Sequence, residues 1–107
     1  MLRIQTTVIR FAASLQTQLA AIEIRDAKLA GQLRRALVSV GLNLGEGYGA
    51  SGGMKRRAYR IARGEAGELE MGLEMAVALG YCRLAKEQRD ALQCILGTLQ
   101  KLAAPRR

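Results

Sequence analysis

The residues best placed to do chemistry lie together in mid-chain. Gly47, Gly49 and Gly52 take the G-x-G-x-x-G spacing with which a tight turn presents backbone amides to a pyrophosphate, and Lys55, Arg56 and Arg57 follow with charge that suits phosphate. Val38, Val40, Leu42 and Leu44 alternate ahead of the motif as a strand would. A dinucleotide turn also needs a parallel sheet, and no second β-rich run exists to pair with that strand. A solitary strand leaves its amides and carbonyls unsatisfied, so the nucleotide reading is rejected. Six of the 13 residues from Gly41 to Gly53 are nonetheless glycine, and they require another reason.

The rest of the chain offers little for catalysis. There is no histidine, which removes the usual general base and the commonest metal ligand. Cys82 and Cys94 are too few and too far apart for a zinc site or a redox pair, and read as small apolar side chains in a reducing compartment. Glu46 and Asn43 stand in a segment otherwise rich in Leu, Val and Gly. A carboxylate close to a core needs a partner or it takes up a proton. Arg60 or Arg63 would supply one for Glu46, and the amide of Asn43, a poor helix former, is expected to bond across helices. No catalytic residue, metal ligand or cofactor-binding residue is assigned, and the chain is read as non-enzymatic.

The elements that hold these residues are helices. Half of the 107 residues are hydrophobic, mostly Leu and Ala, which lose little side-chain entropy in a helix. Apolar residues recur every three or four positions in four segments, at about 4–24 (Ile4, Val8, Phe11, Leu15, Leu19, Ile22), 26–48 (Leu29, Leu33, Leu37, Val40, Leu44), 53–80 (Ala58, Ala62, Ala66, Leu69, Leu73, Ala76) and 84–102 (Leu84, Leu92, Ile95, Leu99, Leu102). Asp26 and Ser51 are the expected N-caps and Gly80 the expected C-terminal glycine. Short links make successive helices antiparallel, giving one all-α domain over residues 1–107, an up-down-up-down antiparallel four-helix bundle. Gly41, Gly45 and Gly49 then form a smooth strip on the second helix, each costing roughly 1 kcal/mol against Ala, for which the close approach of another helix would compensate. Gly64, Gly67 and Gly72 would do the same on the third. No apolar run is long enough to span a membrane, and the expected location is the cytoplasm.

Two blocks resemble a known family. Arg34-Arg35-Ala36, Ser39-Val40, Asn43-Leu44, Glu46-Gly47-Tyr48 and Ser51 are similar to its first signature, and Ile61-Ala62-Arg63-Gly64, Glu68-Leu69 and Leu79-Gly80-Tyr81 to its second. The family is that of the four-helix-bundle 23S rRNA intervening-sequence proteins, with the accessory variability determinants of diversity-generating retroelements as distant relatives. The resemblance covers about residues 30–82 and makes Ser39, Asn43, Glu46, Gly47 and Glu68 signature positions. The chain departs from the pattern at Gly45, at Glu65 and at Gly52-Gly53. The resemblance implies a bundle that assembles as a ring, usually a homopentamer, with no known catalytic activity. Its retroelement relatives bind a reverse transcriptase and nucleic acid.

The charge of +8 favours acidic or phosphate-rich partners. Lys55, Arg56, Arg57, Arg60 and Arg63 form a basic run on the third helix, with Glu70 and Glu74 beyond Gly67. Bases first and acids last oppose the helix dipole, so another contact is expected to compensate. A neighbouring subunit's acids would do so, and so would an RNA or DNA backbone. No aromatic platform accompanies the cluster, which argues against base readout. The reading is a homo-oligomeric binding or scaffolding protein, pentameric by resemblance. The alternative is a basic nucleic-acid-binding accessory of a reverse transcriptase.

Overall fold

A computed structural model describes residues 1–105, and all of its regular structure is helical: α1 (Arg3–Ser14), α2 (Gln16–Arg25), α3 (Ala27–Gly49), α4 (Gly52–Ala78) and α5 (Lys86–Leu102). There are five helices where periodicity predicts four, because the segment expected over 4–24 is broken at Leu15. The apolar ladder survives the break. Ile4, Val8, Phe11, Leu15, Leu19 and Ile22 are all buried, so hydrophobic spacing gives no warning of it.

The break has a hydrogen-bonding cause. The Ala12 carbonyl accepts from the Leu15 N–H at 3.2 Å and from Gln16 Nε2 at 2.9 Å, while the Ser14 carbonyl accepts from Gln88 Nε2 at 2.9 Å. Side chains thus take carbonyls that an unbroken helix would turn inward on itself. Gln88 is 8% exposed and fully engaged: its Oε1 accepts from the Ala85 N–H and from Gln18 Nε2, both at 2.8 Å. One side chain therefore closes the start of α5 and holds the α1–α2 junction against it.

The other ends follow their residues. Asp26 alone joins α2 to α3, and its Oδ1 accepts from the Leu29 N–H at 2.9 Å, as expected of an N-cap. Gly80 closes α4 with φ +78°, donating to the Val77 carbonyl while the Tyr81 N–H reaches the Ala76 carbonyl, the paired bonds of a Schellman end. This stops α4 at Ala78, two residues short of expectation, and α5 starts at Lys86 rather than near 84. Ser51 is the N-cap residue of α4 by position, but its side chain makes no capping bond. The segment 38–44, with its strand-like alternation, lies wholly within α3.

One core joins all five helices. The most extensive contact is between α3 and α4. Ala58, Ala62, Ala66 and Ala76 keep α4 slender where it faces the core. The molecule measures 44 × 25 × 22 Å, its long dimension close to the roughly 40 Å of a 27-residue helix.

Candidate functional site

The glycines of α3 divide by face. A Cβ at Gly47 would stand 2.5 Å from Cε1 of the buried Tyr59 ring, so this is where α4 makes its close approach. A Cβ at Gly72 would likewise meet Leu33 Cδ2 at 2.4 Å. The strip expected to carry that contact does not: Gly41, Gly45 and Gly49 have nothing within 4 Å of a modest added methyl, and neither do Gly64 and Gly67. Within the chain the strip faces outward.

It shares that outward face with apolar side chains. Val38 is 58% exposed and Leu42 69%, on the side of α3 opposite Leu33, Val40 and Leu44, which are buried. Ile9 of α1, 57% exposed, lines a groove with Val38 and Gly41. On the other side Ser39 and Asn43 border a second groove with Leu42 and Arg35. Helix α3 is therefore apolar on two opposite faces, and one face alone serves the core.

The signature polar residues lie along this surface. Asn43 does not bond across helices: its Nδ2 donates to the Ser39 carbonyl at 2.9 Å and to Ser39 Oγ at 3.2 Å, one turn back on its own helix. Glu46 is exposed and forms no ion pair among the described residues, so the internal pair with Arg60 or Arg63 is absent. Its place one turn after Leu42 is on the outer side of α3, which accounts for the difference. Glu65 of α4 is half-buried. Burial, followed by the charge of Glu68 and a hydrogen bond to it, raises its pKa, against a smaller lowering from Ser39 and Arg35. Glu68 itself is exposed.

The basic run of α4 is free of carboxylates. None of Lys55, Arg56, Arg57, Arg60 and Arg63 is ion-paired among the described residues. Two of the acids on the same helix are answered within the chain: Arg89 of α5 pairs with Glu74, and Gln93 Nε2 donates to Glu70 Oε2 at 2.7 Å. Lys55 and Arg56 turn toward the end of α5, where they line a cavity of about 420 Å³ with Ser51, Tyr59 and Lys101. Sequence reasoning did not find Tyr59 or Lys101, because they reach this place from different turns and different helices.

Among the described residues no cluster of His, Cys, Asp or Glu could hold a metal ion, and no helix is long and apolar enough to cross a membrane. Cys82 and Cys94 are both free. Cys94 is exposed, not packed as a small apolar side chain. What these features define is an all-helical protein with an unpartnered apolar face and a basic end. The model of the 23S rRNA-intervening sequence protein family matches residues 3–103, so the chain belongs to that family. A crystal structure from Bacteroides thetaiotaomicron, described as a protein with unknown function from the S23 ribosomal protein family, superposes with a TM-score of 0.78 at 20% identity, covering 95% of this chain and 99% of that one. That likeness is one of fold. No curated protein matches.

Proposed function

We propose that the chain is a non-enzymatic protein that associates with copies of itself, as a pentamer, and serves as a binding or scaffolding module. In this reading α1 and α2 act as one bent rod, so that the five helices form a four-membered up-down-up-down bundle. The observation that carries the reading is the double apolar character of α3: exposed Val38 and Leu42, with Ile9 beside them, flank the open strip of Gly41 and Gly45. Contiguous exposed apolar surface marks an interaction site, and small residues let a second helix lie close. Where this patch meets a different face of the next copy and the rotation between copies closes, the assembly is a ring. Light scattering is expected to give a multiple of 11.6 kDa, and Leu42→Glu to yield a folded monomer. A parent protein that is monomeric at tens of micromolar would refute the proposal.

One observation favours a second reading, in which the basic face binds an RNA or DNA backbone beside a partner such as a reverse transcriptase. Lys55, Arg56, Arg57, Arg60 and Arg63 have no described carboxylate partner, and Glu70 and Glu74 further along α4 are engaged by α5. Backbone binding would weaken steeply with salt, and Arg60→Gln would reduce the slope of log K against log salt by about one.

A further inference from the structure

The cavity at the start of α4 has the construction of an anion site. Among the described residues its walls carry three cations, Lys55, Arg56 and Lys101, and no carboxylate. Gly52, with φ +58°, turns the chain into α4, whose first amide groups open beside these cations. A helix start exposes amides that its own carbonyls cannot satisfy, and Ser51 leaves them uncapped.

Tyr59 supplies an independent indication. Its side chain is 2% exposed and its ring is pinned against Gly47. No hydrogen bond joins its hydroxyl to any described residue, yet no described side-chain atom is sealed away without a partner. The hydroxyl therefore opens into the cavity that the ring lines. A phenol held rigidly in this way turns its donor toward the cavity, with no acceptor among the described residues and three cations nearby. Burial raises its pKa, which keeps it protonated and able to donate.

We propose that this cavity binds a phosphate monoester, its oxyanion held by Lys55, Arg56, Lys101 and the Tyr59 hydroxyl at the N-terminus of α4. The about 420 Å³ of space exceeds what a bare phosphate fills and matches pockets that hold small organic ligands. Leu102, Ala50 and Ala104 give it apolar walls for the esterified group. The proposal does not rest on self-association, since none of these residues belongs to the outer face of α3. It differs from backbone binding along the whole basic run in requiring a terminal phosphate, which carries more charge than a diester and concentrates it at one end.

Calorimetric titration tests it on the full chain, with light scattering on the same samples. The probes are inorganic phosphate, a nucleoside 5′-monophosphate, the matching nucleoside, and a short single-stranded oligonucleotide with and without a 5′-phosphate. Binding is expected for the monophosphate and not for the nucleoside. If the 5′-phosphorylated oligonucleotide also binds, and its unphosphorylated form does not, the ligand is a nucleic-acid end; if only the monophosphate binds, it is a small molecule. Tyr59→Phe keeps the ring on Gly47 and loses only the hydroxyl, so the free variant should melt like the parent while binding roughly tenfold more weakly. Arg56→Gln with Lys101→Gln should abolish binding, and Lys28→Gln, at the opposite end of α3 from the cavity, should leave it unchanged. Equal binding of both oligonucleotides, unaltered affinity in Tyr59→Phe, or no heat with any probe at millimolar concentration would each overturn the proposal.

Discussion

Replacing Gly47 by alanine tests whether glycine is present here for space. In an open helical position glycine to alanine gains about 1 kcal/mol, because alanine has less backbone freedom to lose. Gly97 on α5 is such a position, exposed and with nothing within 4 Å of an added Cβ. Gly97→Ala should therefore raise Tm by roughly 4 °C in a chain of this size. Gly47→Ala gains the same helical preference but drives its methyl to 2.5, 2.8 and 3.0 Å from Cε1, Cδ1 and Cζ of Tyr59. Those atoms belong to a flat ring, 2% exposed, which cannot bend away as a long side chain would. Overpacking costs about 1–3 kcal/mol, so the net change should be a loss of about 1 kcal/mol and a Tm roughly 4 °C below the parent.

The assay is a pair of thermal melts at one protein concentration, since association would make Tm depend on it. A cycle locates the cause. In a Tyr59→Leu background the ring is gone, and Gly47→Ala should become as favourable as Gly97→Ala, with a coupling of about 2 kcal/mol between the two positions. If Gly47→Ala melts as high as Gly97→Ala in the parent background, the close approach of α4 to α3 at this point is refuted.

Two further outcomes follow from the polar groups. Gln88→Leu leaves the Ser14 carbonyl, Gln18 and the Ala85 N–H without their partner and should cost about 1–3 kcal/mol in urea unfolding, with helicity changing least in α3 and α4. Glu65 holds its proton more tightly folded than unfolded, first through burial and then through the charge of Glu68. Its contribution to stability is thus present at low pH and lost as pH rises through the raised value, so Glu65→Gln should melt above the parent near pH 7, with the margin gone below about pH 4.

Much of the fold was legible because helical cores are written as spacing. Every residue of the ladder from Ile4 to Ile22 is buried, Asp26 starts α3 through its carboxylate, and Gly80 ends α4 through the positive φ that a residue without a Cβ adopts freely. The break at Leu15 was not legible. Beside the local bond from Gln16 to the Ala12 carbonyl it involves Gln88, 74 positions away from Ser14, and a long-range side-chain bond has no period. Whether the helix that approaches the glycine strip belongs to this chain was not legible, for a related reason. Recurrence every four residues identifies Gly41, Gly45 and Gly49 as one strip, but Val38 and Leu42 give α3 a second apolar face, and periodicity alone cannot say which of two apolar faces meets the core.

The same ambiguity is what makes the outer face of α3 informative. A helix whose apolar residues serve only its own core should carry polar residues opposite. Here that position holds Val38 and Leu42, flanked by glycines that cost helical stability and fill no contact inside the chain. Removing glycine there would stabilise the isolated helix, so the strip works against the monomer's own interest. Asn43 turns its hydrogen bonds onto its own helix, donating to Ser39, and so does not reach from the groove beside Leu42 to a neighbouring helix of the same chain. The basic run on α4 lies on a different surface, with Glu74 and Glu70 already engaged by Arg89 and Gln93. Apolar association and anion binding thus draw on separate residues, so a charge placed at Leu42 should alter oligomer size without altering phosphate binding, and Arg56→Gln with Lys101→Gln should do the reverse.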